Sequence, residues 1–467
     1  MQSQGSAAGA ADTIVAIATP PGRGGIGVIR LSGPSVPALA RALLGAVPPP
    51  RSAVARRFRA ADGSAIDSGI ALYFEAPASF TGEHVLELQG HGGPAVMDLL
   101  VLRALALGAR AARPGEFSSR AFHNGKLDLA QAEAVADLID AGSAAAARAA
   151  LRSLQGEFSA RVRALDALLV ELRMLIEAAI DFSEEELDLP GEGGLASRLA
   201  ALDAAFVALA RGAEQGRLLH DGCTVVIAGR PNAGKSSLMN ALAGYDAAIV
   251  AALPGTTRDL LRERIHIDGL PVTLLDTAGL RAQADAVEAE GMRRARRAIE
   301  AADRVLYLVD GTDIEALAAW PDEIAGLGAT VPVTLLFNKT DLIATPRGAA
   351  APAATGPGSA GTFAADALHV SALTGAGLDA LRAHIRAAAG YLPGDSDTFS
   401  ARRRHLDALG RARSHAASAG ELLAARTSVE LIAEELRLAQ RALGEITGEF
   451  TSEDLLGRIF ASFCIGK

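Results

Sequence analysis

CTVVIAGRPNAGKSSLMNALAG, residues 223–244, decides the fold: an apolar strand runs into a glycine-rich loop that opens a helix. Gly229 to Ser236 fit G-x-x-x-x-G-K-[ST], and the strand before and helix after supply the context that a phosphate-binding loop requires. The glycines let backbone N–H groups close around a β-phosphate, Lys235 reaches the β- and γ-phosphates, and Ser236 can ligate Mg²⁺. A glycine-rich turn with no ligand does not account for all three features together.

Two further strands downstream end in polar motifs. PVTLL leads into DTAG, Asp276 to Gly279, and PVTLLF leads into NKTD, Asn338 to Asp341. Asp341 can accept both hydrogen bonds from guanine N1–H and the exocyclic amine, a pair that adenine does not offer. Lys339 can lie over the base plane, and Ser371 and Ala372 in HVSALTG fit a loop closing over the guanine oxygen. Asp276 suits the Mg²⁺ shell, the Gly279 N–H faces the γ-phosphate, and Thr257 in PGTTRD is the better second Mg²⁺ hydroxyl, with Thr256 beside it. Where Ras-like GTPases place a water-orienting Gln, this chain has Leu280. Either hydrolysis is negligible or another group does that work, and the candidates downstream are Gln283, Asp285, Glu288 and Glu290.

Working outward, residues 222–389 alternate strands and helices, the pattern of a parallel sheet covered on both faces. Residues 127–221 and 390–467 carry helical periodicity, so the α/β segment reads as an insertion into a split helical domain. Residues 1–126 show short apolar runs separated by Gly and Pro, with one helix-like stretch, VMDLLVLRALALGA, and read as a compact α+β domain. The fold class is therefore multidomain α/β: an N-terminal α+β domain, a central helical domain and a P-loop, Ras-like G domain inserted into it. Residues 344–367, rich in Ala, Gly, Pro and Thr, read as a surface loop without an assigned role.

Composition narrows the function further. A net charge of −9 over 467 residues argues against coating nucleic acid by charge alone. Two cysteines, Cys223 and Cys464, exclude a disulfide scaffold and make the reducing cytoplasm the simpler home. No apolar stretch is long enough to span a bilayer, and no charged n-region of a signal peptide opens the chain. Of 45 basic residues only four are lysines: Lys126, Lys235, Lys339 and Lys467. In a chain so biased to Arg, a lysine marks a place where a compact charge on a flexible stem is needed. Two fall in nucleotide motifs, and Lys126 and Lys467 are read as functional on the same ground.

With these residues in hand, the whole chain resembles the MnmE (TrmE) family of tRNA-modification GTPases. DTIVAIATPPGRGGIGVIRLSG, FTGEHVLELQGHGGP, RPGEFSSRAFHNGKLDLAQAEA, GRPNAGKSSLMNAL, PGTTRD, DTAGLR and the terminal FCIGK occur in the family's order. The resemblance implies that residues 1–126 bind folate and form a homodimer. Arg30, Glu87, Lys126 and Lys467 match the folate contacts for formyl- or methylene-tetrahydrofolate. It implies potassium in place of an arginine finger, held by Asn232 and by carbonyls at Ala251, Leu253 and Thr256, and Glu288 as the residue that orients water. It also implies a flavoprotein partner, MnmG (GidA), in a heterotetramer, with FAD entering only through that partner. The pair would install an aminomethyl or carboxymethylaminomethyl group on C5 of the wobble uridine of certain tRNAs. The full nucleotide shell is then Asn232, Ala233, Gly234, Lys235, Ser236 and Ser237; Ala251, Ala252, Leu253, Pro254, Gly255, Thr256 and Thr257; Asp276, Thr277, Ala278 and Gly279; and Asn338, Lys339, Asp341, Ser371 and Ala372. Magnesium falls to Ser236 and Thr257.

Two departures bear on this. Ala251 and Ala252 stand where polar side chains are usual, so potassium would rest on carbonyls. Cys464, in the terminal CIGK, is either a catalytic thiol or a structural or folate-adjacent cysteine. A rival reading is a GTP-dependent switch or ribosome-assembly factor without one-carbon chemistry, which leaves residues 1–126 and Lys467 unexplained. GRGGIG, residues 22–27, matches G-x-G-x-x-G, but a strand follows it and not a helix, so a dinucleotide site fails its own context. His91 and His123 lack metal spacing, and Arg402 to Arg404 read as a solvated helix face in preference to a tRNA contact.

Overall fold

A computed structural model of the chain describes residues 12–181, 192–244, 262–276, 297–327, 331–343, 367–393, 398–425, 428–450 and 452–466. The chain divides into two compact units: residues 1–136, 153–206 and 407–467 in one, 137–152 and 207–406 in the other.

In the first unit, β1 (Ile14–Ile17), β2 (Gly24–Ser32), β3 (Val54–Arg59), β4 (Ala65–Phe74), β5 (Val85–Gly92) and β6 (Arg110–Ala111) form one sheet in the order β3-β4-β5-β2-β1-β6. Its pairs are antiparallel except β1 with β6. Ile29, Leu31, Leu86 and Leu88 are buried together with residues of α1 (Val36–Leu44) and α2 (Pro94–Ala106). The period of two then sends Arg30 and Glu87 to the opposite face. The strand at Gly24–Ser32 removes the dinucleotide reading of GRGGIG on structural grounds as well.

The helical part of this unit follows its heptads. In α6 (Glu157–Asp181) Val162, Leu165, Leu169, Leu172 and Ile176 are buried; in α12 (Val429–Thr447) Ile432, Leu436, Ala439, Leu443 and Ile446 are. Each set lies on one stripe, and the two helices pack along each other. The last helix, α13 (Glu453–Ala461), buries Leu456, Ile459 and Phe460 against Leu129 and Ala132.

The second unit holds a six-stranded sheet of β7 (Cys223–Gly229), β8 (Arg262–Ile267), β9 (Leu270–Asp276), β10 (Arg304–Asp310), β11 (Val333–Asn338) and β12 (Leu368–His369), ordered β12-β11-β10-β7-β9-β8. Alternate residues feed two cores: Val225 and Ile227 join one, Val226 and Ala228 the other, so both faces are covered. The parallel sheet expected from the alternating pattern is found for five strands, whereas β8 runs antiparallel at the edge. Its cause is a two-residue Asp268-Gly269 turn, both residues at positive φ (50° and 95°), which closes a hairpin onto β9.

Candidate functional site

The polar motifs gather at the C-terminal ends of β7, β9, β10 and β11, where ligands bind in open parallel sheets. β7 is buried from Val225 to Ala228 and delivers Arg230 to Gly234 as a loop into α8 (Lys235–Gly244). Asn232 takes a left-handed conformation (φ 64°), one that Asn tolerates better than most residues. Gly234 sits at φ 96°, and a Cβ there would meet Asn338 Nδ2 at 2.3 Å, so only glycine fits. Lys235 is buried, and its Nζ donates to the carbonyls of Gly229 (3.0 Å) and Arg230 (2.7 Å).

Ser236 and Asp276 are brought together, with Ser236 Oγ donating to Asp276 Oδ2 at 3.2 Å. A hydroxyl and a carboxylate are the hard oxygen donors that Mg²⁺ takes alongside phosphate oxygens, so the donor set fits that ion. Ser237 follows in the first turn of α8.

The guanine motifs are tied to this loop. Asn338, 2% exposed, donates from Nδ2 to the Ala233 carbonyl at 2.8 Å and accepts from the Ala372 N–H at 3.1 Å. Ser371 Oγ donates to Asp341 Oδ1 at 2.6 Å, which orients the carboxylate. Lys339 Nζ pairs with Asp310 Oδ2 at 2.6 Å. Asp310 lies below the usual carboxylate range: burial works against its charge, but hydrogen bonds from Lys339 and Thr312 outweigh that.

Thus Asn232, Ala233, Gly234, Lys235, Ser236, Ser237, Asp276, Asn338, Lys339, Asp341, Ser371 and Ala372 converge on one edge of the sheet. Ala251 to Thr257, Thr277 to Gly279 and Glu288 lie outside the described residues, as does Lys467.

In the other unit, Arg30 and Glu87 are cross-strand neighbours with Arg30 Nε 2.9 Å from Glu87 Oε1. The guanidinium also lies 5.8 Å from the ring centres of both Phe80 and Phe117. Lys126 Nζ donates to the Pro77 carbonyl, in the same loop that carries Phe80. Near the chain end, Gly115 N donates to the Cys464 carbonyl at 3.4 Å, and Gly466 packs against the Ile17 carbonyl. The C-terminal residues therefore lie against β1. Cys464 is exposed with a free thiol.

Several residues carry no sequence signal of their own. Arg230 Nε pairs with Glu323 Oε1 at 2.5 Å, and Glu323 also accepts from Tyr307, which fastens the P-loop to β10 and α9 (Ile314–Leu327). Asp310 was missed too, although its place at the end of a central parallel strand is a usable signal.

One reading needs correction. Arg402 is not on a solvated face: its Nη2 pairs at 2.6 Å with Asp137, a carboxylate 8% exposed that also accepts from Ser400. Burial opposes ionisation of Asp137, yet hydrogen bonding from His220 and the charge of Arg402 hold its carboxyl below the usual range. Among the described residues no group of His, Cys, Asp and Glu could hold a metal by itself, and no helix is long and apolar enough to cross a membrane.

Comparison with known proteins agrees with this geometry. Residues 13–126 match the family described as GTP-binding protein TrmE N-terminus, and residues 129–464 match the MnmE helical domain. The chain is 56% identical to the tRNA modification GTPase MnmE of Methylococcus capsulatus, over 98% of this chain and 99% of that protein. It is 57% identical to the MnmE of Alkalilimnicola ehrlichii (97% and 99%) and 54% identical to that of Yersinia pseudotuberculosis (98% and 99%). Matched from end to end at more than half identity, and carrying a P-loop tied to a guanine motif, the chain belongs to the MnmE (TrmE) family.

Proposed function

We propose that the chain is a GTP hydrolase acting in tRNA modification, and that its GTPase cycle drives a change at C5 of the wobble uridine. The observation that carries this is the hydrogen-bonded chain Ala233–Asn338–Ala372 beside Ser371–Asp341, which assembles phosphate and guanine recognition in one piece. Relatives that share the full length are tRNA modification GTPases, which speaks against a bare switch or ribosome-assembly factor.

In this reading residues 222–389 form a G domain inserted between helical segments 127–221 and 390–467, with a folate-binding, dimer-forming domain over 1–126. Lys235 neutralises β- and γ-phosphate charge and the P-loop amides orient it. Ser236 and Thr257 would hold magnesium, which supplies charge neutralisation at the phosphate oxygens. Asn232 and the carbonyls of Ala251, Leu253 and Thr256 would hold potassium, in the role of an arginine finger. Glu288 orients the attacking water where Leu280 cannot. Arg30, Glu87, Lys126 and Lys467 bind a one-carbon tetrahydrofolate, and the MnmG (GidA) flavoprotein completes a cytoplasmic heterotetramer with a homodimer of this chain.

GTP turnover measured in potassium and in sodium, at several protein concentrations, tests the mechanism. The expected result is turnover that rises with both potassium and protein concentration and collapses in Glu288→Ala. Turnover indifferent to both variables would overturn potassium-dependent dimerisation. Nucleoside analysis of tRNA from a strain lacking the gene tests the pathway: an unmodified wobble uridine is expected.

A further inference from the structure

We infer that Asp310 is a positioning residue for guanine-nucleotide binding, acting through Lys339. Asp310 is the last residue of β10, in register with Asn338 of β11. The Gly311 N–H donates to the Asn338 carbonyl at 2.9 Å, so the two strand ends are fixed to each other. The carboxylate divides its two oxygens. Oδ1 accepts from Thr312 N (3.0 Å) and Thr312 Oγ1 (2.7 Å), which closes the turn after the strand. Oδ2 takes Lys339 Nζ at 2.6 Å.

Lys339 is the residue that needs such a hold. Its backbone is left-handed (φ 62°) and its side chain is one-third exposed, on a stem with much rotamer freedom to lose. An ammonium anchored at one end has its methylene stem laid down in a fixed direction, and a flat base can then pack on that stem without ordering it first. Preorganisation of this kind raises affinity by cutting the cost of binding. The inference rests on the reading that Lys339 and Asp341 hold the guanine base. The competing account is that Asp310 serves only its own turn through Thr312.

The two accounts separate in the full-length chain, titrated with a fluorescent GDP analogue and assayed for GTP turnover. Asp310→Asn keeps an acceptor for Thr312 and loses the charge that holds Lys339. It is expected to weaken analogue binding about three- to fivefold, with the rise in KM exceeding any fall in kcat. Combined with Lys339→Met, it should bind no more weakly than Lys339→Met alone, because both remove one interaction. Thr312→Val, which removes the Oγ1 contact and spares Lys339, should bind like the unaltered chain. Asp310→Asn binding unchanged, losses that multiply in the double variant, or a Thr312→Val loss equal to that of Asp310→Asn would each overturn the inference. If Lys339→Met and Asp341→Asn both bind the analogue normally, the guanine-site reading itself falls.

Discussion

Asn338 and Ala233 are joined by a hydrogen bond of 2.8 Å from the side-chain amide to the backbone carbonyl, which makes the guanine motif and the P-loop one mechanical piece. Because Asn338 also accepts from Ala372 at 3.1 Å, three loops share a single buried side chain. Asn338→Ala would leave a carbonyl and an N–H without their partner in a buried place. The expected cost is about 1–3 kcal/mol of stability, together with a loss of GDP binding of roughly tenfold or more. Thermal unfolding and analogue titration of the variant check both. Affinity loss with an unchanged melting temperature would mean that Asn338 acts only on the ligand.

Base selectivity should follow the chemistry of Asp341. Ser371 Oγ occupies one of its oxygens at 2.6 Å and so turns the carboxylate in a set direction. Asp341→Asn replaces an acceptor-only group by one that also donates, which mismatches the guanine amine and suits a carbonyl at the same ring position. GTP affinity should fall by up to about two orders of magnitude, the equivalent of the roughly 1.5–3 kcal/mol of a hydrogen bond to a charged acceptor. Xanthosine triphosphate should bind better than GTP. Competition titrations with the two nucleotides read this directly, and a variant that still prefers GTP would place base recognition elsewhere.

What could be read from sequence, and what could not, divides along physical lines. The P-loop was legible because a backbone wrapped on phosphate demands glycine at Gly229 and Gly234, lysine at Lys235 and a hydroxyl at Ser236, all within eight residues. Arg30 and Glu87 could be named only by resemblance, since a cross-strand pair separated by 57 residues leaves no local pattern. The edge hairpin at Asp268-Gly269 carried a short-range signal that the alternating strand–helix reading overrode. Arg402 was misread because a basic run at a helix start is usually solvated, whereas its partner Asp137 lies 265 positions away. Glu323, Tyr307 and Asp310 are support for the site, and support is set by tertiary packing.

The end of the chain can be tested through Gly115. This residue sits at φ 64°, and a Cβ there would approach the Phe460 carbonyl to 2.3 Å. Its N–H meets the Cys464 carbonyl, so it is the seat on which the last helix and the CIGK tail rest. Gly115→Ala is expected to destabilise the first unit by about 1–3 kcal/mol, from left-handed backbone strain plus displacement of that turn. If the tail supplies Lys467 to folate, tetrahydrofolate binding should weaken in the same variant, while GDP binding should be spared. Calorimetric titration with each ligand and thermal unfolding would show it. Equal losses for both ligands would indicate general unfolding instead.

His220 gives the second unit a pH dependence of definite sign. Its Nε2 lies 3.2 Å from Asp137 and its Nδ1 2.7 Å from Asp221. Hydrogen bonding to Asp137 first, and to Asp221 next, outweighs burial and the repulsion of Arg402, and pushes its pKa up to about 9 from 6.5. A histidine whose folded pKa is raised binds its proton more tightly when folded. Its stabilisation is therefore complete below about pH 6.5 and is lost as pH rises through about 9. Melting temperature of the full chain should decline across that window. In His220→Gln the slope should flatten, because the neutral amide keeps hydrogen bonds without the proton linkage. Arg402→Gln should move the other way at first, raising the His220 pKa further by removing a like charge, and so push the decline to higher pH. An unaltered slope in His220→Gln would assign the pH dependence to another group and remove His220 from the account of stability.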